Sequence, residues 1–317
     1  MLRRLTASRT VRIGAALAAA GFGLLAVVGQ WSQVRAAAGQ LSLAAVAVAA
    51  LAVMAGLFAT MLSWRALLAD LGSPLGIPAA MRVFYIGQLG KYVPGGVWWL
   101  VGQVELAHQQ RVPRQRSAAA GVLTVVLSLG AGLGIAAMTL PLLASPATDR
   151  YWPVLLAVPL LALVARPRVL YRALDRVLRR AGREPLEHPL SRRGLAETMA
   201  WAALAWAAFG VQVAVLAVDL GATGARTLFL SIGGFALAWS VGFLAVLVPA
   251  GIGVREAALV AALAAVLPPG PALLIAVVSR LLMTVGDLSW AAAAAARWPG
   301  GGAAPPRQAG SDCVEPV

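Results

Sequence analysis

Ionisable side chains within apolar stretches are the positions at which this sequence could do chemistry. Two of them stand in an interrupted apolar stretch at residues 83–108, and four stand in the last third of the chain. These six residues are Lys91, Glu105, Arg255, Glu256, Arg280 and Asp287. A charge near the centre of a membrane-spanning helix costs about 2.5–3.5 kcal/mol on insertion scales, so we expect these side chains to pair or to line a polar site.

Two interpretations of the C-terminal charges follow from their spacing. Arg280 and Asp287 are seven residues apart, which is two turns along one helical face. We expect Arg255 to pair with Asp287, and Glu256 to pair with Arg280. The pairs could be a structural lock that holds the last helix, or they could line a cavity for a lipid headgroup, with basic groups binding phosphate and a carboxylate binding a cationic substituent. Both interpretations can hold together.

The stretch at 83–108 is broken near its centre by Val93-Pro94-Gly95-Gly96. Proline removes a backbone donor and paired glycines weaken a helix, so we predict two half-helices instead of one continuous span. The backbone groups freed at such a break need protein or a wet cavity around them, and transporter sites are built in this way. Lys91, the only lysine in the chain, stands three residues before the proline. The alternative is that this lysine reflects an arginine-rich genome or snorkels to the membrane interface.

Composition indicates a polytopic membrane protein. Of the 317 residues, 60% are hydrophobic and 12% are charged, whereas a soluble domain has about 25% charged residues. The mean hydropathy is +0.82. The net charge of +14 comes from arginines clustered between apolar runs, so it indicates membrane topology and not nucleic-acid binding. The single cysteine, Cys313, excludes an intramolecular disulfide and a cysteine-based metal cluster.

We predict an all-α, polytopic helical membrane protein with about seven spans, two re-entrant or broken helices and a possible internal repeat. The predicted spans are 13–30, 41–64, 118–143, 151–165, 198–220, 228–248 and 272–296. The basic N-terminal segment predicts a cytoplasmic N-terminus in the cytoplasmic membrane, with a cleaved signal peptide ending near Ala36–Ala38 as the alternative.

The domain prediction has three parts. Residues 1–12 form a cytoplasmic segment, residues 13–296 form one integral membrane domain, and the Gly- and Pro-rich tail 297–317 is disordered. A basic cytoplasmic loop at 166–197 lies within the membrane domain. Its part at 169–181 has amphipathic spacing and is expected to lie on the membrane surface.

The flanking arginines of residues 83–108 predict the path of this broken stretch in the membrane, and a short sequence pattern predicts that it is repeated. Both flanks of 83–108 carry arginines, so a re-entrant path that starts and ends on the cytoplasmic side fits the charge bias. Val93-Pro94-Gly95-Gly96-Val97 shares the pattern Val-Pro-small-Gly-aliphatic with Val248-Pro249-Ala250-Gly251-Ile252. Transporters are often built from two repeats with interruptions at matching positions, so this echo predicts an internal repeat.

Motifs for catalysis are lacking. The two histidines, His108 and His188, stand in loop-like sequence and are expected to be interfacial residues. No HExxH, G-x-S-x-G or P-loop pattern occurs. We therefore expect no enzyme activity, no cofactor and no metal site.

Three segments carry a resemblance to a known family. Residues 88–98 read Gln-Leu-Gly-Lys-Tyr-Val-Pro-Gly-Gly-Val-Trp, residues 249–256 read Pro-Ala-Gly-Ile-Gly-Val-Arg-Glu, and Ser279-Arg280 follow in the last span. With these segments the chain resembles the lysylphosphatidylglycerol synthase transmembrane-region family over roughly residues 10–296. Ala250 departs from the double-glycine form. The resemblance implies a flippase-like membrane domain, here in a stand-alone form, because 317 residues leave no room for the soluble aminoacyl-transfer domain.

The resemblance and the charges together give a functional prediction. We expect a lipid translocase that moves a phospholipid or a lipid-linked headgroup across the cytoplasmic membrane. The candidate substrate-binding residues are Gln88, Lys91, Tyr92, Pro94, Gly95, Glu105, Pro249, Gly251, Gly253, Arg255, Glu256, Arg280 and Asp287. The expected partners are membrane lipids, either anionic or aminoacylated phospholipids or a polyprenyl-linked glycan, and no nucleic acid.

Two alternatives remain open from the sequence. One is an integral-membrane transferase that acts on a lipid-linked substrate, with Glu105 or Glu256 as its base. The other is a scaffold subunit of a cell-envelope assembly complex that docks through the basic loop. A protein partner from envelope biosynthesis, or a second copy of the chain, is compatible with these alternatives.

Overall fold

The computed structural model describes residues 31–92, 97–139, 190–244 and 253–296, together with positions 172, 175, 176 and 179. The predicted spans 13–30 and 151–165, the two Val-Pro interruptions and the tail 297–317 lie outside the described residues. Within the basic loop, Arg172, Asp175, Arg176 and Arg179 are helical, and Arg179 Nε lies 3.0 Å from Asp175 Oδ2.

The described ranges are helical and contain no strand, so the predicted all-α polytopic fold is confirmed. Nine α-helices lie in these ranges: α1 (Trp31–Ala38), α2 (Leu43–Asp70), α3 (Ile77–Met81), α4 (Trp98–Gln109), α5 (Arg114–Thr139), α6 (Arg192–Asp219), α7 (Ala225–Leu244), α8 (Val254–Leu263) and α9 (Pro269–Ala296). After α3 the chain makes a π-helical turn at Arg82–Ile86 and a 3₁₀ turn at Leu89–Tyr92.

Five of these helices are long and apolar enough to cross a membrane: α2, α5, α6, α7 and α9. They coincide with five of the seven predicted spans. The largest differences are at the ends: α2 continues to Asp70, and α6 begins at Arg192 instead of near residue 198. Each extension contains charged residues, Arg65 and Asp70 in α2 and Arg192, Arg193 and Glu197 in α6, so the hydropathy pattern places the ends of these spans too early or too late.

Helices α2 and α6 form an antiparallel central pair joined at both ends by the same kind of contact. Asp70, the last residue of α2, accepts hydrogen bonds from the backbone N–H and the hydroxyl of Ser191, which caps the start of α6. Asp219, the last residue of α6, accepts the same two bonds from Ser42, which caps the start of α2. These reciprocal contacts, called the Ser–Asp clasps below, fix the register of two 28-residue helices.

The clasps show an inverted internal repeat. In each half a Ser-capped 28-residue helix ends in Asp-Leu-Gly, and the glycine has a positive φ, 84° at Gly72 and 96° at Gly221. Each helix is followed by a broken hairpin and then by a long span, α5 or α9, which starts just after a proline. Because α2 and α6 are antiparallel, the two halves enter the bundle from opposite ends. The repeat predicted from the Val-Pro pattern therefore agrees with the arrangement of the helices.

The first broken hairpin runs from α3 to α4. Its two arms are antiparallel and close together: a Cβ built at Gly87 would lie 2.9 Å from the Cα of Gln103, and one at Gly90 would lie 2.5 Å from the backbone N of Trp99. Glycine is needed at both positions because backbone approaches backbone. Because the two arms are antiparallel, the start of the first arm and the end of the second lie at the same end of the bundle.

The second broken hairpin consists of α7 and α8. A Cβ built at Gly234 would lie 2.7 Å from Cβ of Ala262, and one at Gly242 would lie 3.0 Å from Cβ of Arg255, so these helices are also antiparallel. Helix α7 starts close to Asp219, whereas the first hairpin starts close to Asp70. The two hairpins therefore start from opposite ends of the central pair.

Candidate functional site

Helix α9 brings the two broken hairpins together through charged side chains. Lys91 and Tyr92, at the inner end of the first hairpin, both contact Asp287. The Lys91 Nζ atom lies 2.6 Å from Asp287 Oδ2, and the Tyr92 hydroxyl donates to the same oxygen at 2.8 Å. The side chain of Asp287 is only 6% exposed, whereas that of Lys91 is 36% exposed.

The second hairpin contacts α9 through Glu256 in the first turn of α8. The predicted pair of Glu256 and Arg280 is confirmed: Arg280 Nη1 donates to Glu256 Oε1 at 2.8 Å. The other carboxylate oxygen accepts the backbone N–H of Gly253 at 2.6 Å and caps the helix. Gly253 has a φ of 81°, a conformation that favours glycine. The capping contact therefore fixes Glu256 in a position to hold α9.

The predicted pair of Arg255 and Asp287 is wrong. Among the described residues, Lys91 is the basic partner of Asp287, and Arg255 instead lies over the ring of Phe235 with its guanidinium carbon 4.9 Å from the ring centroid. The physical reason is helical geometry, because consecutive residues point about 100° apart around the axis. Glu256 therefore faces α9, while Arg255 faces α7, where Gly242 leaves room for it.

The two ion pairs lie in the middle of the bundle. Arg280 and Asp287 are about 10 Å apart along α9, and both stand in the middle third of this 28-residue helix. A Cβ built at Gly286 would lie 2.8 Å from Leu57, near the midpoint of α2. The cluster formed by Lys91, Arg255, Glu256, Arg280 and Asp287 is called the charge cluster below.

An aromatic wall packs beside the charge cluster. Trp290, one turn after Asp287, is stacked between Phe58 and Tyr85, with ring centroids 5.5 and 5.3 Å away. Its indole N–H donates to the backbone oxygen of Met54 at 3.1 Å. Tyr85 reaches this position from the π-helical turn, and such turns are common at functional sites. The side chain of Asp287 is only 6% exposed, and a charge pair with little water around it interacts more strongly than one at the surface.

A small cleft lies between α7, α8 and α9. Its lining residues are Phe235, Arg255, Glu256, Leu259, Ala276, Ser279 and Arg280. On its far side, Gln212 of α6 donates from its amide to the Ser279 hydroxyl at 2.7 Å. The cleft has room for about one water molecule. In this conformation the cleft is too small for a group much larger than water.

The remaining predicted site residues are distributed as follows. Glu105 lies outside the charge cluster: it is exposed on α4 and its carboxylate is 3.1 Å from Arg114. Gln88 is partly buried on the first arm, before Lys91. Pro94, Gly95, Pro249 and Gly251 lie outside the described residues. Among the described residues, no three His, Cys, Asp or Glu side chains are grouped to hold a metal ion.

Several residues of the site were not predicted from the sequence. Gln212 is a fully buried amide in an apolar span, and a polar residue in such a span is a signal that sequence analysis could use. Tyr85 and Phe235 are aromatic residues in apolar sequence, and nothing in the pattern distinguishes them from other core residues.

These observations define the class of the protein: a polytopic helical membrane protein that holds a polar site between two broken hairpins. The family model described as "Lysylphosphatidylglycerol synthase TM region" matches residues 11–288, and the chain belongs to this family. It is thus an integral membrane protein with a lipid-related function, as the resemblance implied. Comparison with individual curated proteins gives no significant match.

Proposed function

We propose that the protein is a lipid translocase of the cytoplasmic membrane, which moves a phospholipid or lipid-linked headgroup between leaflets without changing it chemically. The observation that carries this proposal is the meeting of two oppositely entering hairpins at ion pairs on the middle of α9. Broken elements that converge on the centre of a helical bundle are the arrangement of transporter sites.

The energetics of the ion pairs support a role beyond stability. Placing charges inside a membrane is costly, and a buried ion pair is often no more stable than well-packed apolar residues of the same size. A purely structural contact between the hairpins and α9 could therefore be apolar. The charged side chains at this depth have a function if they take the place of the water molecules that hydrate a lipid headgroup while it crosses the membrane.

The distribution of arginine between the two ends of the bundle indicates how the protein is oriented in the membrane. Among the described residues, one end of the bundle carries Arg65, Arg111, Arg114, Arg116, Arg192 and Arg193. The opposite end carries Arg35 and Arg226. By the positive-inside rule the arginine-rich end is cytoplasmic, which agrees with a cytoplasmic N-terminus. The first hairpin is then re-entrant from the cytoplasm, and the second approaches from the outside.

The proposed cycle uses the two ion pairs as contacts that open in turn. Separation of the first hairpin from α9 breaks the contact of Lys91 with Asp287 and admits a headgroup from the cytoplasmic leaflet. Separation of α8 from α9 breaks the contact of Glu256 with Arg280 and releases the headgroup outward. The acyl chains stay in the lipid throughout, so only the polar part needs a path through the protein.

A leaflet-exchange assay tests the proposal. Purified protein is placed in liposomes that contain acyl-labelled phospholipid, and a membrane-impermeant quencher reports the fraction of label in the outer leaflet over time. We expect exchange that depends on the protein, and at least a tenfold slower rate for Asp287→Asn. Glu197→Gln, which changes an exposed carboxylate of α6, is the matched control. Protein-containing liposomes with the exchange rate of empty liposomes, for all lipids tested, would refute the proposal.

A further inference from the structure

The charge cluster contains an unequal number of cations and carboxylates. Lys91, Arg255 and Arg280 contribute three positive charges, and Glu256 and Asp287 contribute two negative charges, which leaves a net charge of +1. This surplus lies within the bundle, where the dielectric constant is low and the charge acts strongly on any polar group that enters.

Both carboxylates of the charge cluster already have donors from the protein. Asp287 Oδ2 accepts from Lys91 and from the Tyr92 hydroxyl. Glu256 uses one oxygen for Arg280 and the other for the backbone N–H of Gly253. A cationic group from a lipid would therefore meet carboxylates that already face a protein cation, Lys91 at Asp287 and Arg280 at Glu256.

Arg255 is different, because no carboxylate of the described ranges forms an ion pair with it. Its guanidinium lies over the Phe235 ring and lines the cleft beside Ser279. The ring stabilises the cation but accepts none of its five N–H donors in the plane of the guanidinium. A phosphate can accept two of these donors side by side, which is the geometry that arginine favours.

We propose that Arg255 anchors the phosphate of the translocated lipid, and that the protein prefers a lipid with a net negative headgroup over one that carries an ammonium group. This inference rests on the proposed function and adds the substrate class. A headgroup with one phosphodiester charge neutralises the surplus of +1. A lysylated phospholipid, with one phosphate and two ammonium groups, brings net positive charge to a cluster that is already positive, and its ammonium groups compete with Lys91 for Asp287.

The experiment compares headgroups in the same leaflet-exchange assay. Three acyl-labelled lipids are used in separate liposomes: phosphatidylglycerol with a negative headgroup, phosphatidylethanolamine with a neutral one, and lysyl-phosphatidylglycerol with a positive one. We expect phosphatidylglycerol to exchange at least about tenfold faster than the lysyl lipid, which is the ratio that corresponds to one modest charge interaction. Arg255→Gln should lower the exchange of phosphatidylglycerol by tenfold or more and thereby reduce the difference between the lipids.

Controls separate anchoring from folding and from the source of the phosphate. Arg226→Gln removes an exposed arginine of α7 far from the charge cluster and should leave all three rates unchanged. Arg255→Lys keeps the charge and loses the paired donors, so its rate for phosphatidylglycerol should lie between those of the wild type and Arg255→Gln. Inorganic phosphate in the buffer should not inhibit, because the proposed ligand reaches the site from the bilayer.

The possible results are distinguishable. Protein that moves none of the three lipids overturns the proposed function itself. Translocation that is equal for all headgroups, or fastest for the lysyl lipid, overturns the preference and leaves the translocase intact. Full activity of a folded Arg255→Gln protein overturns the anchor. Inhibition by millimolar phosphate would show that Arg255 serves a soluble anion, which also overturns the lipid assignment.

Discussion

Neutralising one partner of the contact between Lys91 and Asp287 should destabilise the protein asymmetrically. Lys91→Met leaves an almost fully buried carboxylate without its cation, because the Asp287 side chain is 6% exposed. Breaking a buried pair in this way costs about 3 kcal/mol. Asp287→Asn leaves the lysine without its anion, but the Lys91 side chain is 36% exposed and can turn toward water. We expect a cost of about 1 kcal/mol for this change, and the Tyr92 hydroxyl can still donate to the asparagine oxygen.

The double variant, Lys91→Met with Asp287→Asn, tests the coupling directly. It removes both charges together, so no charge is left buried, and we expect a cost of about 2 kcal/mol from lost contacts. The two single costs then exceed the double cost by about 2 kcal/mol, within the range for residues in direct contact. The measurement is the free energy of unfolding in detergent micelles for the wild type and the three variants.

Transport by the double variant distinguishes a structural lock from a headgroup site. If the contact is only a lock, transport should recover together with stability. If the charges also interact with the headgroup, transport should stay about tenfold or more below the wild type although stability is partly restored. Additive single costs, or an Asp287→Asn protein less stable than Lys91→Met, would refute the reasoning from burial and distance.

Three further predictions concern the scaffold around the charge cluster. Ser42→Ala and Ser191→Ala each remove one helix cap and one clasp contact, so each should lower the free energy of unfolding by about 1 kcal/mol. The two losses should be similar because the Ser–Asp clasps are equivalent, and thermal unfolding measures both. Gly90→Ala brings a methyl group against the Trp98–Trp99 backbone and should cost about 1–3 kcal/mol, whereas Gly134→Ala, with nothing within 4 Å, should be neutral or slightly stabilising in the same assay. In a protein whose native cysteine is removed by Cys313→Ser, the single variants Gly76→Cys and Gln109→Cys mark the two ends of the first hairpin. Both cysteines should react with a membrane-impermeant thiol reagent added on the cytoplasmic side, and labelling from opposite sides would contradict the re-entrant path.

Much of the site could be predicted from the sequence because charges are rare in apolar stretches. Arg280, Asp287 and Glu256 stand out for that reason alone, and two turns of helical spacing place the first two on one face of α9. Glu105 met the same criterion, but it lies at an exposed turn of α4 beside Arg114. A charged residue in an apolar segment therefore indicates a functional site only when the position of that residue within the helical bundle is also known.

The pairing within the charge cluster could not be predicted in full. The expected pair of Glu256 and Arg280 is confirmed, but the basic partner of Asp287 among the described residues is Lys91, which stands 196 positions earlier in the chain. Sequence spacing contains no information on contacts between distant elements. The inward turn of the first hairpin, which depends on close backbone contact at Gly87 and Gly90, decides that pairing.

By itself the sequence determined the class of the protein and five of its spans, because hydropathy acts on the local chain through solvation. The two Val-Pro interruptions lie outside the described residues and stay predictions. Only the tertiary structure decided that the halves are inverted, that both hairpins reach α9, and that Arg255 forms no ion pair with a carboxylate of the described ranges. These properties depend on the Ser–Asp clasps and on the packing of distant helices, where small differences in orientation select one ion pair over another.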